Sequence, residues 1–180
     1  MKLSFVSKLA GTPSTLIVTA FEQNILSQAA TTLDKQISNA LTKALTSSKF
    51  KGKVGQTLVL TAPTGVIANR IILLGLGKAD EISSFKAQKA GGALYALLSP
   101  TLEKEASLDV SGVTSSLKEA DLAAHVAYGC LLRSWRCDRY KTKQKEEDKP
   151  VFNALSVVSQ ETDQAQKIFQ SLQAVAHGVF

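Results

Sequence analysis

Apolar residues at Leu26, Ala29, Ala30, Leu33, Ile37, Ala40, Leu41, Ala44 and Leu45 recur every three or four positions, with Gln28, Asp34, Lys35, Asn39 and Lys43 between them. That spacing predicts one amphipathic helix of about five turns with the polar set on its wet face. Before it the period is different. Leu3, Phe5 and Val6 start a first strand, and Thr15-Leu16-Ile17-Val18-Thr19 is a β-branched run after the turn at Gly11-Thr12-Pro13. Two further strands follow the helix, Thr57-Leu58-Val59-Leu60-Thr61 and Arg70-Ile71-Ile72-Leu73-Leu74, and the second is apolar without alternation, as when both faces are covered. A helix is expected from Ser83 or Ser84 to Leu98, closed by Pro100. Inside it Gly91-Gly92 costs about 1 kcal/mol per glycine relative to alanine, so a close backbone approach to the sheet or to another helix is expected there.

The second half continues the alternation. Ser107-Leu108-Asp109-Val110 is a short strand, and a helix from Lys118 to Trp135 turns Leu122, Val126, Cys130 or Leu131, and Trp135 inward. Ala154-Leu155-Ser156-Val157-Val158 is the last strand. A final helix begins near Glu161-Thr162-Asp163, and its apolar stripe is still running at Phe180, with no terminal Gly, Pro or polar stop. The expectation is an α/β, three-layer domain with a mixed central sheet flanked by helices, cut from a longer protein.

Composition narrows this picture. A chain of 180 residues, 44% hydrophobic and 20% charged, holds one well-buried globular domain. No run reaches the roughly 18 apolar residues of a membrane span. The alternating start at Met1-Lys2-Leu3-Ser4-Phe5 reads as a strand and not as a signal peptide. Cys130 and Cys137, on one helix and about 10 Å apart along its axis, are too distant for a disulfide. They read as free thiols of a reducing cytoplasm. Half of the net charge of +6 sits in residues 133–149, where seven basic side chains meet four acidic ones. Arg139, Lys141, Lys143 and Lys145 in that run are the candidate nucleic-acid contacts, although a dedicated footprint is usually a purer basic patch.

Candidate chemistry is thin. Gly75-Leu76-Gly77-Lys78 joins a strand to a helix but lacks the spacing of a phosphate loop, and Ala79 stands where Ser or Thr would bind. It reads as a turn that needs small residues. Gly52, Gly55 and their lysines are an anion-site candidate set against a surface turn. His125 and His177 lack a second ligand at metal spacing. Cys130 and Cys137 have no nearby histidine in sequence and read as small hydrophobes. Asp80-Glu81 sits where a helix N-terminus favours negative charge, and Glu146-Glu147-Asp148 is a charged loop. No catalytic residue and no metal ligand is assigned.

Three stretches in order carry a family resemblance: Phe50-Lys51-Gly52-Lys53-Val54-Gly55; Arg70-Ile71-Ile72-Leu73-Leu74-Gly75-Leu76-Gly77-Lys78; and the run from Tyr128 through Trp135 and Cys137 to Thr142. Together with Ala174-Val175-Ala176-His177-Gly178-Val179-Phe180, they resemble the N-terminal domain of the leucyl, or cytosol, aminopeptidases. The family usually has an aromatic pair where this chain has Trp135 and Cys137. The resemblance implies a macro-domain-like, non-catalytic domain over residues 1–160. Residues 161–180 then start the helix that links it to a C-terminal catalytic domain. It further implies that two divalent ions, manganese or zinc, are bound in that catalytic domain, together with a cytoplasmic hexamer and peptide substrates. The family's metal-binding signature, N-T-D-A-E-G-R, does not occur in the chain, so none of its ligands can be carried onto a residue here. An ADP-ribose-binding module and a nucleic-acid-binding module are the alternatives.

Overall fold

The computed structural model describes residues 1–9, 11, 13–135 and 150–179. Seven strands form one sheet: β1 (Lys2–Val6), β2 (Thr15–Phe21), β3 (Ile25–Leu26), β4 (Thr57–Thr61), β5 (Arg70–Gly75), β6 (Glu105–Asp109) and β7 (Ala154–Val158). The order is β1-β7-β6-β2-β5-β4, with β3 paired to the end of β2. Five neighbours run parallel, while β4 is antiparallel to β5 and β3 to β2. The sheet is therefore mixed, as the pattern predicted. The outermost parallel pair joins distant parts of the chain, since Leu3 lies opposite Leu155 and Phe5 opposite Val157.

Helices cover both faces. On one side α1 (Gln28–Gln36) and α2 (Ala40–Ser47) bury Leu33, Ile37, Leu41 and Leu45 against Leu16, Val18, Ala20, Ile71 and Leu73. On the other, α3 (Ser84–Leu98), α4 (Glu119–Ser134) and α5 (Thr162–Val179) pack on Ile17, Phe21, Ile72, Leu74, Leu108 and Val157. Successive residues of β2 and β5 thus feed opposite cores, which is why neither strand alternates in polarity. The α5 helix seals the β1 edge through Phe169, whose ring centroid lies 5.5 Å from that of Phe5.

The structure corrects three readings. The single long helix is two, because Ser38 and Asn39 take φ of 56° and 58°, and Leu26 belongs to β3. The cause is Asp34, which is buried and not on the wet face. One carboxylate oxygen accepts the amide of Leu41 at 2.7 Å and the other accepts the Thr42 hydroxyl, so the side chain caps the N-terminus of α2 from the preceding helix. The apolar stripe runs through the break, because Leu33, Ile37, Leu41 and Leu45 still face one core. Trp135, expected inside, is 46% exposed, because α4 ends at Ser134 and Trp135 leaves it with extended backbone.

Candidate functional site

At the carboxyl ends of β2 and β5, where open parallel sheets commonly bind ligands, the two glycine-rich stretches of the sequence meet. The Gly77 amide donates to the Gly52 carbonyl at 2.9 Å, and the Gly55 amide donates to the Gly75 carbonyl at 2.9 Å. The Gly75 amide reaches the Gln56 carbonyl at 2.8 Å. A Cβ on Gly52 would lie 1.9 Å from the Phe21 carbonyl oxygen, and one on Gly75 would lie 2.3 Å from that of Lys53. Gly52 also has φ of 72°, so both contact and conformation demand glycine. Small residues are needed here because three backbone segments cross.

That crossing decides the anion question. The Lys51 and Lys53 amides both donate to the Gln56 carboxamide oxygen, at 2.8 and 3.3 Å, and the Leu76 amide donates to the Ala20 carbonyl. A phosphate cradle requires convergent backbone N–H groups with no internal partner. In this loop the amides of Lys51, Lys53, Gly55, Gln56, Gly75, Leu76 and Gly77 already have acceptors within the chain, so the geometry favours a packed turn over an anion site. Lys78 is likewise engaged: its ammonium lies 2.7 Å from Glu81, whose other oxygen meets Lys86 at 3.1 Å. The hydrogen bond and charge of Glu81 raise the Lys78 pKa, and Lys78 followed by Lys86 lowers that of Glu81. Ser83, and not the Asp80-Glu81 pair, caps α3 by accepting the Lys86 amide.

A second polar group lies at the ends of β6 and β7. Glu119 accepts the Gly112 amide at 2.8 Å, the Ser159 hydroxyl at 2.8 Å and the Gln160 amide at 2.6 Å. Glu161 accepts a first-turn amide of α4, that of Ala120, at 3.1 Å. Asp109 accepts the Ser111 amide at 2.9 Å. These carboxylates tie the start of α4 to the start of α5. Glu119 serves two backbone amides and a hydroxyl, Asp109 the amide and hydroxyl of Ser111, and Glu161 one backbone amide, so these carboxylates act as ties between loops and helix starts. Sequence reasoning missed Glu119 and Glu161. The available signal was an acidic residue at each helix start, Glu119 in the first turn of α4 and Glu161 just before α5. Beside them a cleft of about 280 Å³ runs between α1 and β6, floored by Leu16 and Val18 and flanked by Gln28, Thr32 and Asp109.

The α3–α4 seam holds the remaining candidates. A Cβ on Gly91 would sit 2.0 Å from the Val126 carbonyl oxygen, and one on Gly129 would sit 2.0 Å from that of Gln88. The expected close approach is therefore helix to helix, and it involves Gly91 but not Gly92, whose nearest neighbour would be 3.8 Å away. Cys130, fully buried, donates its thiol to the Gly91 carbonyl at 3.0 Å, and burial pushes its pKa up to about 12. It behaves as a packed hydrophobe with one weak hydrogen bond. His125 Nδ1 lies 3.0 Å from the Gln88 carboxamide nitrogen, and burial lowers its pKa against a smaller opposing effect of Asp121. Cys137 and the basic residues Arg139, Lys141, Lys143 and Lys145 lie outside the described residues, as does Glu146-Glu147-Asp148. His177 falls within α5. Among the described residues no three His, Cys, Asp or Glu side chains come together as a metal site, so they do not fit a resident ion. No described helix is long and apolar enough to cross a membrane.

Comparisons with known proteins add the family context. Residues 17–144 match the domain described as "Cytosol aminopeptidase family, N-terminal domain". A probable cytosol aminopeptidase of Rhizobium etli is 38% identical over 141 residues, covering 77% of this chain and 28% of the relative. One from Nitrobacter winogradskyi is 32% identical over 186 residues, covering 99% of this chain and 36% of the relative. The chain thus spans about a third of the length of the curated relatives it matches. Among solved structures, a tomato leucine aminopeptidase mutant superposes with a TM-score of 0.77 at 21% identity, over 99% of this chain and 36% of that one. The bottromycin maturation enzyme BotP in complex with Mn gives 0.62 at 17% identity, over 92% and 30%. These two show the same fold.

Proposed function

Because the chain belongs to the cytosol aminopeptidase family as its N-terminal domain, we propose that it supports, without itself performing, the chemistry of a leucyl aminopeptidase releasing N-terminal residues from peptides. The observation that carries this reading is the family match over residues 17–144, with the tomato enzyme's fold laid over nearly the whole chain. In this reading residues 1–160 form the supporting domain, and residues 161–180 start the connection to a C-terminal catalytic domain. That catalytic domain holds two divalent metal ions, manganese or zinc, which supply the Lewis acid and the activated water. No residue of this chain is assigned a step. The manganese named with BotP supports a divalent ion in the parent. A cytoplasmic homo-hexamer completes the proposal.

The test compares this chain with one extended through the following catalytic domain, using leucine p-nitroanilide and added manganese or zinc. The extended protein is expected to turn over substrate and this chain to be silent. Metal-dependent hydrolysis by this chain alone would overturn the supporting role. An extended protein inactive on leucine and other aminoacyl anilides with either metal would overturn the aminopeptidase reading.

A further inference from the structure

We propose that the outer seam between α3 and α4 is a docking groove for an acidic amphipathic helix of another protein. This surface stands apart from the aminopeptidase reading and rests on three features. The first is exposed apolar area on one face: Phe85 is 74% exposed and Trp135 46%. The second is shape. A hollow of about 490 Å³ is lined by Phe85, Lys89, Gly129, Leu132 and Arg133, and a second of about 360 Å³ by Ala96, Ser99, Arg133 and Trp135. Arg133 borders both, so the two hollows adjoin at that side chain along the seam. From Phe85 to Ser99 α3 rises about 21 Å, the length of a partner helix of about four turns. Gly92 lowers the floor, where an added Cβ would meet only ordinary contacts at 3.8 Å.

The third feature is charge, and it selects the occupant. Lys89 and Arg133 are exposed on the rim, and neither forms an ion pair among the described residues, whereas Lys86 is held by Glu81. Two cations flanking an apolar floor complement a helix whose apolar stripe is bordered by Glu or Asp. A nucleic acid fits poorly, because its backbone needs a track of cations and not an apolar trough. Among the described residues the exposed face of α5 beyond Asp163 presents Gln164, Lys167, Gln170, Ser171 and Val175, with no carboxylate, so α5 of a second copy lacks the matching charge.

Trp135 is the only tryptophan, so its emission reads the groove directly. The probe is a synthetic helical peptide of about 16 residues, long enough to fill the seam, with leucines every third or fourth position flanked by glutamates. A control peptide carries lysine at every glutamate. The glutamate peptide is expected to shift Trp135 emission to the blue, saturably. Its Kd should rise about ten-fold or more in Phe85→Ser and in Arg133→Glu, a loss of about 1.4 kcal/mol or more. Lys43→Glu, on α2 across the sheet, makes the same charge change and should leave binding unaltered. Lys89→Glu with Arg133→Glu should transfer preference to the lysine peptide. The proposal is overturned by equal binding of both peptides to the unmodified chain, by indifference to Phe85→Ser and Arg133→Glu, or by no binding. Concentration-dependent self-association abolished by Phe85→Ser would also overturn it, in favour of a second copy. All substituted side chains are exposed, and unchanged thermal melts confirm that the fold is intact.

Discussion

The adjacent glycines of α3 make opposite predictions for one and the same substitution. Alanine at Gly91 places a methyl 2.0 Å from the Val126 carbonyl oxygen and 3.1 Å from the Cys130 amide nitrogen, both backbone atoms of α4. Ordinary contact needs about 3.5 Å, so the helices must part by more than 1 Å. A gap of that size forfeits about half of the dispersion at the atoms facing it, among them Leu94, Val126 and Cys130, all fully buried. The overpacking costs about 3 kcal/mol, against about 1 kcal/mol regained from helix propensity. Gly91→Ala should therefore destabilise by about 2 kcal/mol on these two figures. Gly92→Ala meets nothing closer than 3.8 Å and should stabilise by about 1 kcal/mol. Urea unfolding followed by circular dichroism measures both, and in thermal melts the two variants should differ by about 6–12 °C. Equal stabilities, or Gly91→Ala the more stable, would refute the claim that backbone contact holds α3 on α4.

Two other perturbations test separate parts of the fold. Asp34→Ala removes the cap of α2 and leaves buried amides without an acceptor, so it should cost about 1–3 kcal/mol by the same urea measurement; an unchanged midpoint would mean the break between α1 and α2 does not depend on that carboxylate. His125 is held below its ordinary pKa of 6.5 by burial, so the unfolded chain binds its proton first on acidification. Its contribution to stability is full above about pH 6.5 and is lost as pH falls through the lowered folded value. His125→Gln should therefore flatten the wild-type decline below about pH 6.5, and parallel pH profiles would refute the assignment.

The strands and helices were legible wherever burial repeats along an element. The unbroken apolar run of β5 announced a central strand, and the glycine pair in α3 announced a close approach. What stayed hidden was decided across the chain. The break at Ser38 and Asn39 leaves the apolar period intact, and it depends on a carboxylate that looks, by spacing alone, like a solvated residue. Which of Gly91 and Gly92 meets α4 depends on helix rotation, which periodicity does not resolve. Trp135 continues the inner stripe of α4 by count, but the helix ends one residue before it. The turn at Gly75 read correctly as a place for small residues, whereas the tight contact at Gly52 was not foreseen. Their use of the local donors, which tells against a phosphate site, follows from the packing of two loops 20 residues apart. Glu119 and Glu161 were missed because acids at helix starts are common and their partners lie elsewhere in the chain.

The pairing of β1 with β7 has a consequence for synthesis. Ser4 hydrogen-bonds Ser156 at 3.1 Å, across a separation of 152 residues. A growing chain extends at about 5–20 residues per second, so β1 emerges on the order of ten seconds before its neighbour β7 exists. Through that interval the central strands can assemble while β1 has no place in the sheet. A strand made early is thus seated late, and β1 is a segment in need of protection until the chain has caught up with it.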